Sequence, residues 1–407
     1  MSDQPQTTQA QPAKRARSVL WGAMFLMATS AIGPGFITQT TAFTAQLGAA
    51  FAFAILVSIL VDIAIQLNVW RVLGVSGLRA NELGNSTMKG LGWALAGLVV
   101  LGGLVFNIGN IAGTGLGARA MLGGVDPRIG ASVSAVIAIV LFMAKKAGPI
   151  IDRVVVALGV LMIGMTTWVA ITTAPPLGEV ALNTVAPGKV DFLVVTTLIG
   201  GTVGGYITYA GAHRLIDSGT TGPAHAGAIT KASVTGILVT GLMRILLFLA
   251  IFGVVATGAT LDPTNPAASA FQHALGQTGM VVFGIIFWAA AITSVIGASY
   301  TSVSFLTTQK TPERTRNLLT VGFIVLGTIL YITLGQAPVT LLIFAGAFNG
   351  LILPIGFTLV LWVAWRRRDL LHGYVYPVWL LIIGALAWLL TLWLGWQSLS
   401  GLTKLWQ

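Results

Sequence analysis

A chain of 407 residues that is 56% hydrophobic and only 8% charged, with a mean hydropathy of +0.89, is not a soluble globular protein, because soluble domains carry about 25% charged residues. The net charge of +11 invites a nucleic-acid reading, but the basic residues stand in short groups between long apolar runs, so nucleic acid is excluded as a partner and a lipid bilayer takes its place. The absence of cysteine excludes disulfides and thiolate metal sites.

Residues 1–18 form a polar tail, rich in Gln, Thr and Pro over 1–13 and expected to be disordered and cytoplasmic. Eleven transmembrane helices are predicted after it, over residues 19–46, 50–72, 93–122, 128–146, 153–173, 192–217, 230–257, 278–308, 317–335, 338–364 and 375–397. Most of the 22 Lys and Arg fall on the side that holds the N-terminus. They are Lys14, Arg15, Arg17, Arg71, Arg79, Lys89, Lys145, Lys146, Arg153, Arg214, Lys231, Lys310, Arg314, Arg316, Arg366, Arg367 and Arg368. Arg119, Arg128, Lys189 and Lys404 fall opposite, and Arg244 lies within a span. This bias predicts a multi-pass protein of the plasma (inner) membrane, N-terminus cytoplasmic and C-terminus external. The first span is too long and too interrupted for a cleavable signal peptide.

That first span carries Ile32-Gly-Pro-Gly-Phe-Ile-Thr-Gln-Thr-Thr-Ala-Phe-Thr44. Glycine weakens a helix, and proline removes a backbone donor. At membrane depth the freed backbone groups need a cavity or protein partner, so the break is a candidate binding site. The second span holds Asp62 and Gln66. An acidic residue in a span is either functional or paired inside the bundle, here with a neighbour such as Arg244. The third span has Asn107 and Asn110 on one face, followed by Gly113, Gly115 and Gly117. Small residues so placed let helices approach closely, and the asparagines glue helices or line a polar path.

The fifth span ends at Ala174-Pro-Pro176, and residues 175–191 read as an external loop. The sixth span is dense in glycine, with Gly200, Gly201, Gly204, Gly205 and Gly211, and unwinding is expected near Gly201 to Gly205. Gly205-Tyr206-Ile207-Thr208 echoes Gly35-Phe36-Ile37-Thr38 of the first span. Corresponding interruptions in two halves point to the midplane site of an inverted-repeat transporter. Five spans per half, 19–173 and 192–364, with helices 1 and 6 broken and helix 11 over 375–397, give the 5+5 inverted repeat of the leucine-transporter fold.

The eighth span places Thr293, Ser294, Ser299, Thr301 and Ser302 on one helix, for back-bonding to their own carbonyls or for a cation site. The tenth has Asn349-Gly350 and Pro354, read as packing and a kink. His225 and His372 fall in cytoplasmic loops and His273 in an external one. His213, at the cytoplasmic end of helix 6, can pass a proton or serve as a boundary residue beside Arg214 and Asp217.

The eleven spans, the Gly33-Pro34 opening of helix 1, the lead Gln46-Leu-Gly-Ala-Ala-Phe-Ala-Phe-Ala into helix 2 and the broken helix 6 resemble the Nramp family of proton-coupled divalent-metal transporters over nearly the whole chain. The resemblance implies the leucine-transporter fold and a site between helices 1 and 6. The family's metal motifs, Asp-Pro-Gly-Asn in helix 1 and Met-Pro-His in helix 6, have no counterpart here. Thr38 to Thr44 stands in the first place, Gly-Gly-Tyr-Ile-Thr-Tyr in the second, and no Asp or Glu occurs from residue 4 to 61.

A dication needs carboxylates, and transition metals favour soft ligands. Broken helices instead offer backbone N–H groups and partial positive charge. The substrate site is expected at Gly35, Phe36, Thr38, Gln39, Thr40, Thr41, Gly204, Gly205, Tyr206, Thr208 and Tyr209, holding a small anion such as bicarbonate or a small carboxylate, with no metal ligands. No cofactor is expected beyond a coupling ion, Na+ or H+, for which Thr293, Ser294, Asp62 and His213 are the candidates. A divalent-metal carrier is the alternative. No catalytic constellation is present, so an enzyme is not expected; the sequence leaves the oligomeric state open, a monomer being plausible.

Overall fold

The computed structural model describes residues 33–144, 148–205, 207–307 and 311–404. The expected N-terminal tail, the first half of helix 1, Lys145, Lys146, Lys310 and the candidate Tyr206 lie outside them. The described chain is helical: α1 (Pro34–Leu47), α2 (Phe51–Ser76), α3 (Ala80–Thr87), α4 (Leu91–Leu122), α5 (Pro127–Met143), α6 (Gly148–Thr172), α7 (Leu177–Val185), α8 (Phe192–Thr202), α9 (Ile207–Asp217), α10 (Ala226–Ala256), α11 (Pro266–Leu306), α12 (Glu313–Leu334), α13 (Pro338–Arg366) and α14 (Val378–Lys404). Among these residues, 8 helical stretches are long and apolar enough to cross a bilayer. One of them, Pro34–Ser76, contains the described half of the first predicted span and all of the second, divided by a 3-10 turn over Gly48–Ala50.

Local chemistry sets the ends. Gly33 and Pro34 open α1, where the missing proline N–H needs no partner. Asp126, Asp191 and Asn265 cap α5, α8 and α11 by accepting from the N–H of Arg128 at 2.7 Å, Val194 at 3.2 Å and Ala268 at 3.3 Å. Gly77, at φ 69°, closes α2 in the left-handed conformation.

The packing suits a bilayer. Val133, Val136 and Val140 expose one face of α5, and Trp168, Ile171, Leu386 and Trp396 are exposed on other helices. Polar groups fill the interior instead: Thr38, Gln39, Thr40, Thr41, Asp62, Asn107, Arg244 and Asn349 are all buried. At the centre, α4 lies along α11 and α13. A Cβ on Gly117 would stand 2.7 Å from the Trp288 backbone, so glycine sets that approach. Asn107 Nδ2 donates to Ser299 Oγ at 3.0 Å, which joins α4 to α11.

Two expectations are corrected. Residues 175–191 are not all loop, because Leu177–Val185 forms α7, bent by 106° from the helix before it. The eighth span begins earlier than 278: α11 starts at Pro266, and non-helical Gly276 (φ 69°) divides a short leading arm from the long apolar run. His273 therefore lies on that arm rather than in a loop, with Nε2 3.3 Å from the Thr260 carbonyl. The apolar arm Pro266–Phe271 is buried against the bundle, which a hydropathy window centred on the span does not register.

Candidate functional site

The sixth span is two helices with a gap. α8 stops at Thr202, α9 resumes at Ile207, and the Gly204 N–H still donates to the Ile199 carbonyl at 3.2 Å. Gly205 turns the chain at φ 53°, and a Cβ there would lie 1.5 Å from Asn349 Oδ1. Only glycine meets both conditions. α8 is seated on α13, where a Cβ on Gly200 would meet the Gly346 carbonyl oxygen at 2.0 Å.

Against this gap stands α1, with Gly35, Phe36, Thr38, Gln39, Thr40 and Thr41 all buried. Thr40 and Thr41 donate their hydroxyl protons to the carbonyls of Phe36 (2.7 Å) and Ile37 (2.9 Å) of their own helix. Gln39 Nε2 donates to the Leu342 carbonyl at 2.9 Å and ties α1 to α13. Its Oε1 is buried without a partner, where a Cβ on Gly201 would lie 2.6 Å away.

One charged cluster borders the same place. Arg244 of α10 is 2% exposed, and its guanidinium stacks on the Phe36 ring at 4.4 Å. Its Nη2 donates to Thr202 Oγ1 at 3.3 Å, at the last residue of α8. Asp62 of α2 is buried as well, at 1% exposure, and no salt bridge joins it to Arg244 among the described residues. Asp62 Oδ1 and Arg244 Nη1 remain buried without hydrogen-bond partners.

On the other half, the Thr208 carbonyl accepts from Trp70 Nε1 at 2.9 Å, while Thr208 Oγ1 and Tyr209 OH are buried and unpartnered. His213 Nε2 accepts from the Ala80 N–H at 3.1 Å, and its ring lies 4.4 Å from that of Phe305. A proton on Nε2 would break that bond, so this geometry favours the neutral boundary role. Thr293 and Ser294 are half-buried on α11, and Thr293 Oγ1 donates to carbonyls of its own helix at 3.0 and 3.1 Å. Among the described residues, no hydrogen bond joins either of them to α1.

Beyond His213 opens a cavity of about 110 Å³, lined by Arg79, Arg214, Asp217, Tyr300, Thr301 and Arg316 among others. Arg79 bridges to Asp217 at 2.7 Å. These basic residues, far apart in the chain, share one end of the bundle.

Sequence reading alone did not place Thr202, Asn349 or the three vestibule arginines in this assembly. Arg244 did carry a signal, as the Lys or Arg inside a predicted span. Among the described residues, no group of three or more His, Cys, Asp or Glu side chains converges to hold a metal ion.

The architecture matches solved transporters. A manganese transporter of Eremococcus coleocola aligns over 99% of this chain and 90% of its own at a TM-score of 0.73 and 15% identity. MhsT in complex with L-phenylalanine aligns over 92% and 98% at 0.63 and 18% identity. At such identities the likeness establishes the shared fold. By sequence, the uncharacterized membrane protein YcsG of Bacillus subtilis strain 168 is 50% identical over 392 residues, 96% of either chain. An uncharacterized membrane protein of Haemophilus influenzae is 48% identical over 369 residues, 90% of this chain and 92% of its own. The family model described as natural resistance-associated macrophage protein-like matches residues 24–400, and the chain therefore belongs to the Nramp family.

Proposed function

We propose that this Nramp-like membrane transporter carries a small oxyanion, bicarbonate or a small carboxylate, by alternating access through the gap between α8 and α9 and the facing start of α1. Arg244 carries this reading: it is a buried guanidinium, stacked on Phe36 and bonded to Thr202 beside the gap, with one nitrogen still unpartnered. A guanidinium with a free donor, stacked on the first turn of α1, suits an oxyanion and repels a dication. The substrate would contact Gly35, Phe36, Thr38, Gln39, Thr40, Thr41, Gly204, Gly205, Tyr206, Thr208 and Tyr209. Helices 1–5 and 6–10 would act as the two inverted halves.

The orientation follows from charge. The vestibule of Arg79, Arg214 and Arg316 would open to the cytoplasm of a plasma-membrane carrier whose N-terminus is inside. A second reading, proton-coupled transport of a divalent metal, is favoured by the fold shared with a manganese transporter. The donors on α1 and α9 argue against it, being hydroxyls, an amide and backbone rather than carboxylates or sulfur. Flux into proteoliposomes decides between them. Uptake of labelled bicarbonate or lactate without Mn²⁺ uptake is expected, and saturable Mn²⁺ uptake with no anion flux would overturn the anion reading.

A further inference from the structure

We propose that Gln39 Oε1 and Asn349 Oδ1 form an acceptor subsite that selects small carboxylates bearing their own hydrogen-bond donor, 2-hydroxy acids above all, over the same acids without one. The inference rests on the anion reading above and narrows its substrate class.

Gln39 of α1 and Asn349 of α13 are both fully buried, at 0% exposure. Each side-chain amide is held by its nitrogen. Gln39 Nε2 donates to the Leu342 carbonyl at 2.9 Å, and Asn349 Nδ2 donates to the carbonyls of Gly102 at 3.1 Å and Ala345 at 2.8 Å. Those bonds fix which end of each amide is the oxygen. Both oxygens are left without a partner. Joining α1 and α4 to α13 therefore uses only the nitrogens, and the oxygens take no part in holding the described fold.

The two oxygens border the break in the sixth span. A Cβ on Gly201, in the last turn of α8, would lie 2.6 Å from Gln39 Oε1, and one on Gly205, within the gap, 1.5 Å from Asn349 Oδ1. Glycine at both positions leaves bare backbone against each oxygen. A buried acceptor without a donor is costly, and a ligand entering the gap is placed to complete both.

Bare amide oxygens accept from a hydroxyl or coordinate a cation, and the neighbouring charge decides between these. Arg244 stacks on Phe36 at 4.4 Å, and Phe36 stands three residues before Gln39 on α1, so the two share a helix face. A guanidinium one turn away repels a cation at Gln39. It supplies the other half of a ligand site instead: its unpartnered Nη1 takes the carboxylate, and Gln39 Oε1 accepts the donor. One turn of α1, about 5 Å along its axis, limits the ligand to a short acid with the donor close to the carboxylate. An acid lacking that donor leaves both oxygens unpaired, which is how a buried polar site rejects an analogue short of one hydroxyl.

The test uses the full-length chain in proteoliposomes, with labelled lactate against propionate and glycolate against acetate. The members of each pair differ by one hydroxyl. Wild type is expected to take up the hydroxy acid about tenfold faster or more at subsaturating concentration. Gln39→Met and Asn349→Leu, near in volume and without the acceptor, are each expected to cut that ratio about threefold or more. A merely structural role would lower both uptakes together and leave the ratio unchanged. Should the variants fail to fold, O-methyl lactate serves in wild type: it keeps the oxygen but not the proton, and is expected to enter no faster than propionate. Equal uptake within a pair, uptake of neither member, an unchanged ratio in either variant, or O-methyl lactate matching lactate would overturn the inference, while bicarbonate flux would leave the anion reading standing. Mn²⁺ flux with no anion flux would overturn both.

Discussion

The two halves of the broken helix are built differently. In α8 every threonine hydroxyl has a partner: Thr196 shares a bond with Ser398 at 2.8 Å, Thr197 donates to the Leu193 carbonyl, and Thr202 donates to that of Leu198. The same half is pressed backbone to backbone on α13 at Gly200. In α9, Thr208 Oγ1, Tyr209 OH and His213 Nδ1 are buried without partners. One half is a saturated wall, and the other holds hydrogen-bonding capacity in reserve. A buried unpaired polar group costs about 1–3 kcal/mol, so three on one short helix mark the side that a ligand would complete.

Four substitutions break or sharpen this contrast. Gly200→Ala has the largest expected effect, because its Cβ would meet backbone atoms of α13 at 2.0 and 2.2 Å that cannot swing aside. It should cost about 3 kcal/mol or more, read as a lower melting temperature in detergent. Gly205→Ala should cost about 2 kcal/mol through its positive φ and the approach of Asn349, with flux falling more than stability. Tyr209→Phe removes an unpartnered hydroxyl, so its melting temperature should move by less than the equivalent of about 1 kcal/mol. If α9 faces the substrate, its transport should still fall about tenfold. Equal losses of stability and flux in Tyr209→Phe would erase the contrast. Thr293→Ala should be the mildest, within about 0.5 kcal/mol and with near-normal flux, since that half-buried hydroxyl serves its own helix.

Much of the fold was legible because bilayer physics writes strong local signals. Apolar runs marked the chain as a multi-pass helical protein, of which 8 stretches among the described residues are long and apolar enough to cross a bilayer, and the clustered glycines around Gly205 announced the gap. Parts of the site were half-legible: Asp62 and Arg244 stood out as charges within spans, but not Thr202, which Arg244 bonds at the end of α8. Gln39 and Leu342 are 303 positions apart, and no local pattern encodes such a pairing. Asn349 reads as an ordinary helix-packing amide until Gly205 is placed against it. The hydroxyls of Thr40 and Thr41 stand in the expected site, but the sequence does not show that the α-helix claims their protons.

The vestibule has a kinetic consequence. Arg79, Arg214 and Arg316 line one concave mouth together with Asp217, and the fields of such charges reach only about 8–10 Å at physiological salt. Anions on that side would be gathered before they touch the gap, and raising ionic strength should slow their capture there. Ionic strength therefore becomes a way to test whether the carrier is being loaded from that end.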